Sequence, residues 1–356
     1  MYKNGMNTRV CDETWMRYAI EQAKQGIGLT TPNPCVGAVI VCNDCIIGKG
    51  FHPKAGLPHA ERYAIADAIA RGNAHLLCKS TIYVTLEPCS TTGKTPPCTE
   101  AIIENNLKRV VYGSQDPNPK HQGRAATILR EVGIDVVSGV LVDECDYLIR
   151  NFRMNVVENR PWVIVKSAMS LDGRISRSPE RSQWLTNNIS RSYVHSLRAE
   201  VDAIITGGNT VRIDNPAFTI RTPSRVISAD KLQPWRVILT HDKNSIPSSS
   251  CCLCDEYRDR TLVFEKITDF RKLLEELYES RNISTLMIEA GGSLVKEFLR
   301  RKLVDEWVGF YAPMIVGAGV EGIAGGDFLE NEAHLCNPEV QCFGSDICVR
   351  GLIQYK

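Results

Sequence analysis

LEPCSTTGKTPPC, residues 86–98, sets two cysteines around a loop of Ser, Thr, Gly, Lys and Pro with a C-x8-C spacing. The commonest zinc sites use C-x2-C instead. Four readings compete: a disulfide, a redox pair, two inert thiols, or half of a metal site completed from elsewhere. The flanking segments narrow them. Thr81–Leu86 (TIYVTL) is apolar and β-branched, which predicts a buried strand. Pro96-Pro97 opens a helix predicted over Thr99–Asn106. Upstream, Pro58-His59-Ala60-Glu61 opens another, predicted over His59–Arg71 and stopped at Gly72.

H-x-E followed by P-C and a further Cys is the signature of the zinc-dependent deaminases. The chemistry explains each residue type. His59, Cys89 and Cys98 would supply one imidazole and two thiolates, which cancel the double charge of Zn2+ and leave the fourth position to water. Glu61 is not counted as a ligand; it would take the water's proton and deliver it to the ring nitrogen and then the leaving amine. Cys98 is expected at a helix start, where the positive end favours its thiolate. A Cys89–Cys98 disulfide is the alternative. Two other pairs, Cys42 with Cys45 and Cys251 with Cys254, have zinc-knuckle spacing and read as incidental.

The chain has 356 residues, 43% hydrophobic and 23% charged, with a net charge of +1 and 14 cysteines. This length suggests two domains of ordinary size. The charge balance gives no global footprint for nucleic acid, and no apolar run is long enough to span a membrane. The first residues lack the apolar core of a signal peptide, so a cytoplasmic protein with mostly reduced thiols is expected. Cys78 and Cys348, in apolar surroundings, read as small buried hydrophobes. The first segment alternates helix and strand patterns: a helix over Thr14–Gly26, a hairpin turning at Asn43-Asp44, and strands at Lys108–Gly113 and Ile134–Val137. A boundary falls within 148–160, dividing the chain into domains 1–150 and 151–356. A second series starts at Trp162–Lys166 and continues through Ala203–Thr206, Trp235–Thr240, Thr261–Phe264, Thr285–Glu289 and Glu306–Tyr311, with helices at Phe270–Ser280 and Val295–Arg301. Ser245–Cys254 reads as a loop.

TPNPCVGAVIV (31–41), GFHPKAGLPHAE (50–61), YVTLEPCSTTGKTPPC (83–98) and DPNP (116–119) resemble the deaminase domain of the bifunctional riboflavin-biosynthesis deaminase/reductases. SLDGRIS (170–176), SQWLT (182–186), LRAEVDAIITGGNTV (197–211), DNPAFTIR (214–221) and EAGGSLVKEFL (289–299) resemble their reductase domain. The resemblance implies a cytidine-deaminase-like three-layer α/β/α domain followed by a dihydrofolate-reductase-like α/β domain. It implies zinc-dependent deamination of 2,5-diamino-6-ribosylamino-4(3H)-pyrimidinone 5′-phosphate, then NADPH-dependent reduction of the ribosyl chain to ribityl. It also implies association into a homo-oligomer. Asn33 and His52 match positions that hold the pyrimidine, and Lys94 matches a phosphate contact. Thr91 stands where relatives usually carry a substrate-contacting histidine, and a hydroxyl is shorter and cannot carry charge.

The second series contains no G-x-G-x-x-G, which argues against a standard dinucleotide fold. Two strand–Gly-Gly turns, Gly207-Gly208 and Gly291-Gly292, offer N–H groups to a phosphate. By resemblance, Ala168, Trp184, Thr210, Asp214 and the segment Gly291, Gly292, Ser293, Leu294, Val295, Lys296 and Glu297 face NADPH. Ser182, Arg198, Phe218, Arg221 and Glu289 face the substrate, and Lys166 is a candidate for polarising the sugar. Arg198 alternatively reads as a helix-surface ion pair with Glu200 or Asp202. Two other functions compete: a nucleic-acid or nucleoside deaminase with an appended domain, and a zinc-stapled binding protein without catalysis. The missing short C-x2-C and basic face count against the first, and the acid beside the ligands against the second.

Overall fold

The computed structural model describes residues 5–92, 96–119, 121–178, 180, 183–221, 223–224, 227–323 and 332–356, with side chains from residue 12 onward. The chain divides into two compact units, Met1–Asn159 and Arg160–Lys356.

The first unit holds a five-stranded sheet. Its strands are β1 (Gly37–Cys42), β2 (Cys45–Phe51), β3 (Thr81–Leu86), β4 (Arg109–Ser114) and β5 (Asp135–Ser138), in the order β2-β1-β3-β4-β5. β1 runs antiparallel to both neighbours, while β3, β4 and β5 are parallel. The β1–β2 turn places Asn43 and Asp44 at φ 49 and 55, the left-handed pair a two-residue hairpin requires. Helix α1 (Gly5–Lys24) covers one face and α2 (Ala60–Ala70) the other. A Cβ on Gly37 would lie 2.1 Å from the Ala19 carbonyl oxygen in α1, and one on Gly48 2.3 Å from that of Ala64 in α2. These close approaches press three layers together. α3 (Cys98–Glu104) and α4 (Arg124–Glu131) join consecutive parallel strands. Two further helices follow, α5 (Val142–Leu148) and α6 (Arg150–Glu158), and α6 occupies the 148–160 stretch expected to be a boundary. The division after Asn159 keeps both with the first unit. Cys78 is exposed rather than buried, because it lies on a surface 3-10 turn, Ala74–Lys79.

The second unit holds an eight-stranded sheet. In chain order its elements begin with β6 (Trp162–Ser170), β7 (Arg174–Ser176), α7 (Asn188–Glu200), β8 (Ala203–Gly207) and α8 (Gly208–Asp214). They continue through β9 (Trp235–Thr240), a single helical turn α9 (Cys251–Cys254), β10 (Thr261–Glu265), α10 (Phe270–Arg281), β11 (Thr285–Ile288) and α11 (Gly292–Arg300). β12 (Glu306–Ala312), β13 (Val320–Glu321), β14 (Ala333–Phe343) and β15 (Asp346–Tyr355) close the unit. The sheet order is β10-β9-β8-β11-β6-β12-β15-β14, parallel through β12, with an antiparallel β15–β14 hairpin at the edge. Cys348 in β15 is 4% exposed, as expected of a small hydrophobe. The parallel strands direct their carboxyl ends to one side, where open α/β sheets form their ligand crevices. β8 and β11 are neighbours there: Glu289 N–H bonds the Ile205 carbonyl just past their pairing.

Candidate functional site

The residues singled out in the first unit sit at the ends of elements. His59, in extended conformation, precedes α2, and Cys98 is the first residue of α3 behind Pro97. Cys89 follows β3. Two ties set their spacing. Arg62 Nη2 on α2 donates to the carbonyls of Pro96 (3.2 Å) and Pro97 (2.9 Å), holding the start of α3. The Thr99 N–H donates to the Cys89 carbonyl at 3.2 Å. His59 Nδ1 then lies 3.4 Å from both the Cys89 and Cys98 sulfurs. A tetrahedral zinc, about 2.1 Å from nitrogen and about 2.3 Å from sulfur, spaces such atoms about 3.6 Å apart. The donor set therefore fits zinc in kind and in span. Both cysteines are free, which sets the disulfide aside. Among the described residues no other three His, Cys, Asp or Glu side chains gather this way, so neither C-x2-C pair builds a site.

The charge distribution differs from the sequence expectation in one respect. The N–H of Cys98 at the start of α3 points at the sulfur of Cys89, 3.2 Å away, not at its own. Cys89 is held well below its usual range, first by its hydrogen bond with Cys98. Cys98 moves up, through that same bond and then through burial. Glu61, in the first turn of α2, is 3% exposed. Burial pushes its carboxyl up to about 7, and the Cys89 charge adds to that.

His59, Glu61 and Cys89 line a cavity of about 200 Å³ together with Asn33, His52 and Asp116. His52 is 2% exposed and lies against the His59 ring edge. Its Nδ1 is 3.0 Å from the Pro58 carbonyl, which only accepts, so Nδ1 carries the proton. Nε2 then accepts from Asn33 Nδ2 at 3.0 Å. Burial lowers the His52 pKa, which keeps this arrangement neutral. His52 thus holds Asn33 in place with both nitrogens already used. Lys94 lies outside the described residues.

Sequence reasoning missed Glu87, the residue after β3. It is 4% exposed. Its carboxylate accepts the N–H groups of Asp116 (3.3 Å), Gly123 (3.0 Å) and Ala125 (3.1 Å). One buried anion thus pins the segment that carries Asp116 to the cavity and the start of α4. Glu87→Ala strands three donors. It is expected to destabilise the first unit by about 3 kcal/mol, read as an earlier unfolding transition, and to raise the KM for deamination more than it lowers kcat. Unchanged unfolding and KM would contradict this role.

In the second unit the structure brings Arg198, Glu289, Phe218 and Lys166 together. Arg198 on α7 meets Glu289 just past β11 through Nε (2.7 Å) and Nη2 (2.9 Å), with both side chains about nine-tenths buried. Its partner is therefore neither Glu200 nor Asp202. Its guanidinium lies 5.6 Å from the Phe218 ring centroid. Burial pushes the Glu289 carboxyl up, but Arg198 and then Lys166 bring it below its usual range. Burial holds the Lys166 ammonium below its usual value, with Glu289 opposing and Arg198 reinforcing. His195, also missed, shares the Thr219 carbonyl with Arg198 at 3.0 and 3.1 Å. Arg221 is exposed, with Nη1 3.5 Å from the Thr219 hydroxyl. Ser182 lies outside the described residues.

The proposed cofactor residues divide. Gly207 and Gly291 end on open space: no atom lies within 4 Å of where a Cβ would sit on either. They flank the starts of α8 and α11 at neighbouring strand ends, a crevice that side chains would fill. Half-buried Thr210 and exposed Asp214 stand on α8, and half-buried Ala168 on β6. Gly292 and Ser293 open α11. The rest of that segment does not all face the crevice. Val295 is 1% exposed in the core, Leu294 packs against it, and Glu297 pairs with Arg301 one turn on. Lys296 is half-buried. Trp184 is 76% exposed with the Arg191 guanidinium 4.7 Å from its ring centroid.

Comparison with known proteins agrees with this division of labour. The family model described as the cytidine and deoxycytidylate deaminase zinc-binding region matches residues 9–114, and that of the RibD C-terminal domain matches residues 161–349. The riboflavin biosynthesis protein RibD of Synechocystis is 39% identical over 328 residues, 86% of each chain. The solved structure of Acinetobacter baumannii RibD superposes with a TM-score of 0.86 at 35% identity, covering 96% of this chain and 99% of that one. A diaminohydroxyphosphoribosylaminopyrimidine deaminase/5-amino-6-(5-phosphoribosylamino)uracil reductase from Thermotoga maritima gives 0.80 at 33% identity, covering 98% and 100%. The expected cytidine-deaminase-like and dihydrofolate-reductase-like folds follow from these matches. No helix among the described residues is long and apolar enough to cross a membrane. With a zinc-binding deaminase region and a reductase domain in one chain, and relatives matched over nearly their whole length, the chain belongs to the RibD family of riboflavin-biosynthesis proteins.

Proposed function

We propose that this chain deaminates 2,5-diamino-6-ribosylamino-4(3H)-pyrimidinone 5′-phosphate in its first unit and reduces the ribosyl chain with NADPH in its second. The observation that carries the first step is a buried acid, Glu61, beside a donor triad of zinc dimensions in a cavity. His59, Cys89 and Cys98 would hold the zinc, which when bound acidifies water for attack on the ring. Glu61 takes one proton from that water and gives it to the ring nitrogen, then takes the second from the added hydroxyl and gives it to the departing amine, so water and the aminopyrimidine give the carbonyl and ammonia. Asn33, steadied by His52, orients the pyrimidine.

For the second step, NADPH supplies the hydride. The crevice at Gly207 and Gly291 would take its phosphates against the backbone of Gly292 and Ser293, with Thr210, Asp214 and Ala168 alongside. Arg198 would bind the ribosyl phosphate with Arg221 adding a cation from the rim, while Glu289 would face the sugar and Lys166 would polarise it. The reading extends to a cytoplasmic homo-oligomer acting on a small molecule, with a net charge of +1 that offers nothing to nucleic acid.

The test is a coupled assay with purified protein, the diaminopyrimidinone phosphate and NADPH. Ammonia is expected first, with NADPH oxidation following it. Ammonia without NADPH oxidation would remove the reductase half; no ammonia from a zinc-loaded chain would remove the deaminase half.

A further inference from the structure

The imidazole of His121 reaches the hydroxyl of Thr91. Their Nδ1 and Oγ1 atoms are 3.4 Å apart across 30 residues of sequence. Both side chains are half-buried, and each stands on a segment that has just left the cavity wall. Thr91 comes two residues after cavity-lining Cys89, and His121 five after cavity-lining Asp116. His121 is also close enough for its charge to act on Asp116. The reach is not an accident of a loose loop. Glu87 holds both shoulders of that segment, at Asp116 and at Gly123, so His121 is carried between two pinned points. The turn is closed from within: the His121 N–H donates to the Asn118 carbonyl at 2.9 Å, and the Asn118 N–H to the Asp116 carboxylate at 2.8 Å.

We propose that His121, acting with Thr91, binds the phosphorylated sugar arm of the deaminase substrate. The proposal rests on the deaminase reading above. His59, Cys89 and Glu61 line the cavity where the chemistry would occur, and Asn33 with His52 lines it where the ring would be held. A substituent that continues from the ring has to leave the cavity, and Thr91 and His121 stand on the segments that run on from its lining residues Cys89 and Asp116. The hydroxyl alone is short and uncharged. Bound to an imidazole it becomes part of a longer polar unit, whose second ring nitrogen remains to meet a phosphate oxygen. The residue is a specificity determinant; the proton transfers stay with Glu61.

The experiment measures ammonia release by the zinc-loaded full chain on the phosphorylated substrate and on its dephosphorylated riboside. His121→Ala is expected to raise the KM for the phosphorylated substrate about tenfold, the effect of losing one hydrogen bond to a charged group, with kcat and zinc content kept. The KM for the riboside should not move. Adding Thr91→His to His121→Ala should recover most of the lost KM, a rescue that a merely structural role for His121 would not give. An unchanged KM in His121→Ala, or an equal rise for both substrates, overturns the proposal while leaving the deaminase reading intact. A wild-type chain that releases no ammonia overturns both.

Discussion

Glu61→Gln is expected to keep its zinc and to release ammonia at least a thousandfold more slowly than the wild type. Glutamine has the size and the planar end of glutamate, so the cavity and the triad need not move. What it lacks is a basic oxygen. General acid–base catalysis by a positioned side chain contributes about 10²–10⁴-fold, and here one group is asked to relay two protons in succession. Among the cavity-lining residues the other carboxylates are Glu87, committed to three backbone donors, and Asp116. The substitution should not cost stability, because an amide carries no charge to desolvate in a site where burial already disfavours the carboxylate. Zinc content measured by mass spectrometry separates the outcomes. Full zinc with ammonia release near the wild-type rate would take the proton shuttle away from Glu61. Loss of zinc would make it a support of the ligand set. NADPH oxidation on the deaminated intermediate should be unchanged in this variant, since Glu61 belongs to the first unit.

The gathering of His59, Cys89 and Cys98 was legible in the sequence because they stand at positions that announce themselves. Prolines precede His59, Cys89 and Cys98 directly, and the element ends they mark follow from local rules. The strands Thr81–Leu86 and Trp235–Thr240 were read to the residue, since a continuous apolar run between turn residues has few other fates. Where burial is partial the signal fades. In α6 Asn155 is the buried residue, so the stretch showed no apolar stripe and read as a boundary. The edge strand β14 has mainly exposed positions and was missed, as was its partner β15. α7 entered the reading only as the helix surface around Arg198, and its start was missed. Its N-cap, Asn187, accepts from Ile189 and Ser190, a local signal the reading passed over.

Long-range contacts that belong to no sequence signature were not legible. Glu87 reads as part of a cysteine motif, and only the fold delivers its three donors from residues 116–125. Thr91 looked like a gap because the residue that meets it lies in another loop. Arg198 was weighed against its own helix neighbours, while its partner comes from a strand end 91 residues away. In each case the missing information is a tertiary pairing of polar groups, which periodicity does not encode. The same pairings are the ones whose loss should be felt most.

Arg198 and Glu289 make the sharpest case. Arg198→Ala is expected to destabilise the second unit by about 3–5 kcal/mol, the range for breaking a buried pair from one side. Glu289 would be left 9% exposed at its side chain, with Lys166 as the remaining cation among those acting on it besides His195. Removing the guanidinium also removes a like charge from Lys166, whose ammonium should titrate higher as a result. Replacing both partners by apolar residues of similar volume, Arg198→Met with Glu289→Leu, is expected to recover most of the stability, because neither charge is then stranded. Activity should not follow. If Arg198 binds the ribosyl phosphate and Glu289 holds Lys166 in its working charge state, the double variant oxidises NADPH at under about a hundredth of the wild-type rate, the loss of two charge-assisted contacts. NADPH affinity, read by fluorescence, should stay within a few-fold, since the crevice at Gly207 and Gly291 is untouched. A double variant that is both stable and active would make the ion pair architectural. Equal loss of NADPH and substrate binding would place it at the cofactor instead.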